Sequence, residues 1–365
     1  MNADLVIIVT AILVSVASAL VGTFLVLRRM ALLSDAIAHA VLPGIVLAYW
    51  LSGGERASLP ALLGAAAAGL VTVTLVEWLT RTGRVKNDAA IGIVFPALFS
   101  LGVLAVSLYF RHVHLDMDAV LYGEIAYAPF NTLALWGREI PESWLVMGSL
   151  TLLNLLFVLL FYKELKLSTF DAGLAATLGF APGVLHYALM TLVSFTSVGA
   201  FQSVGAILIV AFLIIPPATA YLLTQRLPVM IGLAVGVGVV SSLAGYGLAI
   251  WLDASIAGMM ATVAGICFAL AFLFSPLGGY LTTRLRRERE RLEVAARLLV
   301  AHLAHHDQPV SEQEVLAEFG WKPAFLRQAR NKALREGWLE VLRDGLRPTP
   351  SGLATSKTRS AQDLR

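Results

Sequence analysis

Apolar residues fall along this chain in nine long runs separated by short polar breaks. The runs are Leu5–Leu27, Ile37–Leu51, Leu59–Leu79, Ala89–Phe110, Trp144–Tyr162, Val184–Ala200, Val204–Leu223, Pro228–Trp251 and Ile256–Phe274. Most approach the roughly 20 residues an α-helix needs to cross a hydrocarbon layer of about 30 Å. Gly and Ala recur inside them, as in Gly64-Ala65-Ala66-Ala67-Ala68-Gly69 and between Gly232 and Gly238. Small residues let helix backbones approach closely where lipid supplies no hydrophobic drive. The pattern predicts an all-α polytopic membrane protein of about nine transmembrane helices packed against one another.

The polar breaks predict an orientation. Arg28-Arg29, the Arg81/Arg84/Lys86 loop, Lys163/Lys166, Arg226 and Arg284-Arg286-Arg287 belong on the cytoplasmic side of an inner membrane, because basic residues stay inside. The loop Gly53–Ser58 and the stretch His112–Asp118 then face outward. Nine crossings, with the N-terminus outside and the C-terminus in the cytoplasm, satisfy every assignment. Ala119–Trp136 is apolar enough to enter the membrane, but one crossing there would invert everything after it. It reads as a re-entrant or interfacial segment.

Composition sharpens this picture. The chain is 58% hydrophobic and only 14% charged, with a mean hydropathy of +0.78, whereas a soluble domain is about a quarter charged. A single cysteine, Cys267, excludes a disulfide framework or a thiolate metal cluster within the chain. The start Met1-Asn2-Ala3-Asp4 lacks the basic opening of a secretory signal, so the first run reads as a retained span. Residues 282–365 carry 16 Lys/Arg against 11 Asp/Glu; residues 1–281 carry 11 against 13, from chain totals of 27 and 24. The shift predicts two domains, 1–281 in the membrane and 282–365 in the cytoplasm with a disordered tail.

The second domain has its own grammar. Leu292, Ala296, Leu299 and Leu303 make the stripe of an amphipathic helix over Glu293–His306. Ser311-Glu312-Gln313-Glu314 is a capping start for a helix ending at Phe319-Gly320. Pro323 opens another, Ala324–Glu336, ended by Gly337. Trp338-Leu339-Glu340-Val341, a turn at Asp344-Gly345 and Leu346-Arg347-Pro348 predict a short hairpin. Helices followed by a hairpin in this order resemble a winged-helix domain of the metal-regulator type. Lys322, Arg327, Arg330, Lys332 and Arg335 give its presumed recognition helix the charge nucleic acid would need. Docking or regulation is the preferred reading, because a fold does not dictate its use. His302, His305 and His306 read as a solvated cluster, with metal sensing as the alternative.

Few ionisable residues lie within the apolar runs. Asp35 and His39 are four apart, hence on one helix face, and a carboxylate with an imidazole at that spacing can share a divalent cation. The alternative places this helix at the cytoplasmic boundary, with Asp35 paired to Arg28 or Arg29 and His39 bonded to a neighbour. Asp253, at the outer end of a span, reads equally as a ligand or as a helix-end cap. Gln202, main-chain carbonyls or water would complete a site. His112, His114, Asp116 and Asp118 share one face of an extended segment, where they either receive a metal or form a solvated loop. His186 has no evident role, and Glu77 and Glu124 read as interface residues. Carboxylate and imidazole suit manganese, zinc or ferrous iron and disfavour copper(I).

Between Lys166 and Pro182 the pattern stays helical but is too short to span. Ser168 or Thr169 would cap this helix, Asp171 suits its positive end, and Gly179 would end it. Such a helix suits docking into a partner's groove; an ordinary structured loop is the alternative.

Four blocks, in order, resemble permeases of the manganese/zinc/iron class of ABC importers. They are Gly22 through Gly44, including Ser34-Asp35-Ala36-Ile37-Ala38-His39; the segment with Asp171, Ala175, Leu178 and Gly179; Val204–Ile209 with Pro216-Pro217-Ala218-Thr219-Ala220; and Tyr246 through Leu252-Asp253 with Gly258 beyond. The resemblance covers residues 5–278. It implies that Asp35 and His39 take part in metal passage, and it places Asp253 where the family often adds a nearby His; here Trp251 stands nearby and no His does. It implies that Asp171, Ala175, Leu178 and Gly179 form the coupling helix that contacts a cytoplasmic ABC ATPase. It further implies an extracytoplasmic metal-binding protein and a second permease copy or paralogue as partners. The chain itself would be no enzyme and hold no permanent cofactor. Two other functions stand beside this one: an ion-coupled secondary metal transporter, and a membrane-tethered metal-responsive regulator.

Overall fold

The structure, a computed structural model, describes residues 2–40, 42–52, 58–109, 125–135, 138–306, 308–342 and 345–354. The outward stretch His112–Asp118, Glu124, Asp344 and residues 53–57 of the expected outer loop lie outside these. The chain divides into two compact units, Met1–Leu277 and Gly278–Arg365.

The first unit runs α1 (Ala3–Leu27), α2 (Ala31–Ala40), α3 (Leu42–Leu51), α4 (Ser58–Arg81), α5 (Asn87–Tyr109), β1 (Thr132–Leu135), β2 (Arg138–Pro141), α6 (Glu142–Leu160), α7 (Tyr162–Phe170), α8 (Ala172–Thr177), α9 (Pro182–Val204), α10 (Ala206–Leu223), α11 (Leu227–Leu252) and α12 (Ile256–Phe274). Nine helical stretches among the described residues are long and apolar enough to cross a membrane, with α2 and α3 together making one. This is an all-α multi-pass membrane protein.

Helix α1 is the hub. Its Ala11, Val14, Ala17, Val21 and Phe24 are wholly buried, and it packs against α6, α9, α10 and α11. Close approach is built in at Gly22, where a Cβ would run into the Leu213 carbonyl of α10. Polar side chains stitch α1 to α6 along their length. Thr10 Oγ1 meets Ser143 Oγ at 3.0 Å, Thr151 donates to the Leu13 carbonyl at 3.1 Å, and Asn154 Nδ2 donates to the Ala17 carbonyl at 3.2 Å and to Thr196 Oγ1 of α9 at 2.8 Å. Between α9 and α10 a single residue, Gly205 at φ +84°, turns the chain, so the break expected over 201–203 is tighter than the sequence suggested.

Where a re-entrant or interfacial segment was expected, the described part forms a turn at Ile125–Tyr127 and then strand β1. That strand pairs antiparallel with β2, from Thr132 opposite Pro141 to Leu135 opposite Arg138. No crossing is made among residues 125–135.

The second unit holds α13 (Tyr280–Leu303), α14 (Glu312–Phe319), α15 (Pro323–Arg335), β3 (Leu339–Leu342) and β4 (Gly345–Pro348). Helix α13 begins well before Glu293, because the charged run from Arg284 to Arg291 continues the same helix on an exposed surface. Ser311 forms the expected capping box with Glu314, and Gly320 and Gly337, both at positive φ, follow α14 and α15. Leu299, Leu303, Val315, Leu326, Ala333 and Leu346 build a core of its own. Val310 adds an isolated antiparallel bridge to Leu346, so the hairpin gains a third partner.

Candidate metal pathway and coupling site

The segment that carries Asp35 begins with a broken helix. At the end of α1, the Arg29 and Met30 N–H groups donate to the Val26 and Leu25 carbonyls at 3.0 and 2.9 Å, while Arg29 adopts φ +58°. This left-handed stop normally takes glycine; here an arginine bears its strain. The chain then restarts as α2, whose Leu33, Ala36, Ile37 and Ala40 are buried in the helical rhythm i, i+3, i+4, i+7 against α4, α5, α9 and α10. Asp35 and His39 occupy another face, 44% and 35% exposed, with Asp35 Oδ1 3.4 Å from His39 Nε2. The His39 ring lies 5.5 Å from that of Phe95 on α5.

Arg28 does not pair with Asp35. Its Nε donates to Thr169 Oγ1 at 3.1 Å, one terminal nitrogen to Ser168 Oγ at 3.1 Å and the other to His186 Nδ1 at 3.2 Å. Burial lowers the pKa of this guanidinium from its ordinary value. His186 Nε2 in turn lies 2.5 Å from Glu77 Oε1. The other Glu77 oxygen accepts from the Tyr187 hydroxyl at 2.8 Å and from Arg81 at 3.3 Å. Sequence reasoning gave His186 no role and Glu77 only an interface one; their meeting depends on α4 and α9 packing side by side.

Asp253 is exposed at the end of α11, at φ +50°, where its N–H donates to the Ala249 carbonyl. Its backbone therefore serves as the helix cap. No group of three or more His, Cys, Asp or Glu able to hold a metal ion occurs among the described residues. Gln202 lines a polar cavity of 240 Å³ with Asn131, Glu142, Ser143 and Ser203.

The expected docking helix is shorter than its pattern and differently capped. Ser168 and Thr169 lie in the last turn of α7 instead of opening a new helix, and their hydroxyls accept from Arg28. Asp171 is the cap of α8, accepting the Leu174 N–H at 2.9 Å. Ala175 is wholly buried, and Gly179 at φ +86° ends the turn, with the Phe180 N–H donating to the Ala175 carbonyl at 3.1 Å. Around this short helix Phe170 is 62% and Leu178 60% exposed, with Leu174 also open.

In the second unit the basic helix is partly neutralised. Arg330 pairs with Glu312, and Lys332 Nζ lies 2.7 Å from Glu336, whose carboxyl it holds below the ordinary carboxylate range. Lys322, Arg327 and Arg335 are exposed. His302 Nε2 lies 3.7 Å from Glu318.

The nine apolar helical stretches among the described residues are those of a polytopic membrane protein, and ionisable groups within such spans are costly. Residues 4–275 match the ABC 3 transport family, and the chain belongs to it. It is 45% identical over 359 residues to the zinc transport system membrane protein TroD of Treponema pallidum, covering 97% of this chain and 98% of that one. To the manganese transport system membrane protein MntD of Bacillus subtilis it is 47% identical over 281 residues, 77% of this chain and 95% of the relative. Among solved structures it resembles PsaBC from Streptococcus pneumoniae in complex with Fab. The TM-score is 0.65 at 30% identity, covering 78% of this chain and 96% of that one. The family sets aside the secondary transporter and the tethered regulator.

Proposed function

We propose that this permease imports a divalent transition metal (manganese, zinc or ferrous iron) through a route on which Asp35 and His39 are transient ligands. The observation that carries the reading is the half-open Asp35–His39 pair on α2. Relatives named for manganese, zinc and iron transport support the cargo class. A carboxylate and an imidazole replace two waters of the ion while the rest of its shell stays hydrated, so it is held loosely enough to leave. Two protein ligands suit passage better than storage. Asp253, at the outer end of α11, would meet the ion earlier as a single carboxylate.

ATP hydrolysis belongs to a separate cytoplasmic ABC ATPase. The segment Asp171–Gly179 is its docking helix: Asp171 caps it, Ala175 anchors it, Leu178 offers the exposed apolar contact and Gly179 turns the chain away. An extracytoplasmic metal-binding protein delivers the ion, and a second permease copy or paralogue completes the channel within the lipid. In this orientation the N-terminus lies outside and the C-terminus in the cytoplasm. The second unit, winged-helix-like in its order of elements, docks or regulates, since Glu312 and Glu336 occupy two of its five basic side chains. Co-purification from native membranes tests the assembly: an ABC ATPase should come down with the tagged permease, and vesicles holding the complex should accumulate metal only with ATP. Metal accumulation without any ATPase would overturn the proposal.

A further inference from the structure

Behind the docking helix runs a polar chain that the transport reading leaves unused. Arg28, the residue that closes α1, reaches three side chains at once: Thr169 and Ser168 at the end of α7, and His186 near the start of α9. Arginine can only donate, so His186 Nδ1 accepts and its proton sits on Nε2, facing Glu77 of α4 at 2.5 Å. Four helices are thus joined at one end of the bundle through a single planar fork. Its partners differ in strength. On the α7 side stand two neutral hydroxyls; on the other stands an imidazole backed by a carboxylate. The cationic guanidinium donates in all three bonds, but the Glu77 carboxylate behind the imidazole polarises that ring into the better acceptor, so the hydroxyl side gives way first.

The position of this fork in the chain is what gives it a task. Thr169 lies two residues before Asp171, the cap of α8. Arg28 itself immediately precedes the left-handed turn at Arg29 that launches α2, which bears Asp35 and His39. We propose that Arg28 is the positioning residue that passes displacement of the docking helix to the α1–α2 turn, and so to the metal-binding face. This rests on the reading of α8 as the ATPase contact. A shift of α7 that breaks the two hydroxyl bonds leaves Arg28 held by His186 alone, with Glu77 behind that ring, which is the second arrangement that coupling requires.

The test uses the full complex with its ATPase and metal-binding protein in vesicles. Mn²⁺ and Zn²⁺ are supplied in parallel, and metal taken up and ATP hydrolysed are read from the same sample. Arg28→Gln should keep the ATPase bound and hydrolysing while metal delivered per ATP falls roughly tenfold or more, the scale of a typical coupling energy. The Ser168→Ala/Thr169→Val pair, which removes no charge, should move the ratio the same way and decides the matter if Arg28→Gln fails to insert. His186→Gln should stay near wild type, because a carboxamide can accept from Arg28 and donate to Glu77; His186→Leu should resemble Arg28→Gln. Uptake and hydrolysis that fall together at a constant ratio, or a ratio unchanged in all four, would overturn the proposal and leave Arg28 a structural tie. Failure of the docking reading looks different: Asp171→Arg would then leave both ATPase co-purification and uptake unaltered.

Discussion

Adding one methyl group at Gly44 should force α3 and α4 apart. The two helices meet through small residues four apart on each, Gly44 and Ala48 on α3 against Gly64 and Ala68 on α4. A Cβ on Gly44 would lie 2.7 Å from the Ala68 Cβ and well inside contact with the Gly64 carbonyl; one on Gly64 would lie 2.5 Å from the Ala48 Cβ. Comfortable carbon contacts are about 3.5–4.0 Å, so the seam must open by about 1 Å. Overpacking of this kind typically costs about 1–3 kcal/mol. Both methyls press on the same seam, and once the first has opened it the second meets less resistance. The double variant should therefore be more stable than the sum of the singles implies, by about 1 kcal/mol. Gly232 supplies the control: nothing lies within 4 Å of its would-be Cβ inside α11, and Gly232→Ala should lose no stability and gain up to about 1 kcal/mol from helix propensity. Unfolding of the purified permease in mild detergent, followed by tryptophan fluorescence, measures all four. Wild-type stability for Gly44→Ala and Gly64→Ala, or strict additivity in the double variant, would refute the packing argument.

Three further outcomes follow from other parts of the chain. Asn154→Leu removes two interhelical hydrogen bonds from a buried seam; at about 0.6 kcal/mol each, the same unfolding assay should show a loss of about 1 kcal/mol. Asp171→Ala should fray α8 by removing its cap, worth about 1 kcal/mol, and native-membrane pull-downs should recover less ATPase. Fragment 278–354, with its separate core, should give a cooperative thermal melt by circular dichroism. If it docks or regulates, it should show no preference for a specific DNA duplex, and any weak binding should fall with salt equally on every sequence.

The crossings were legible because length and apolar content alone set them, and Ser311, Pro323 and Gly337 announced the second unit's helices through local chemistry. What stayed hidden depended on distant partners. Ser168 and Thr169 have the chemistry of helix caps, yet the structure spends their hydroxyls on Arg28, a residue from the first span. His186 and Glu77 looked unremarkable because only packing of α4 on α9 brings them together. The stop at Arg29 was masked by its residue type, since left-handed turns normally advertise themselves with glycine. The β1–β2 hairpin was hidden because Thr132-Leu133-Ala134-Leu135 carries too many apolar residues to separate an interfacial helix from a strand. At the candidate site, the spacing of Asp35 and His39 placed them together, but it left open which partner Asp35 would choose. The structure gives Asp35 to His39 and Arg28 to α7 and α9.

The central claim is that metal passes by way of Asp35 and His39. Its most direct test is ATP-driven accumulation of radioactive manganese and zinc by vesicles carrying the whole complex, compared among wild type, Asp35→Ala and His39→Ala. The pair offers only two protein ligands, so each substitution should abolish uptake of the transported metal while the ATPase still co-purifies in normal amounts. Uptake at the wild-type rate by both variants would contradict the account and move the pathway elsewhere in the bundle.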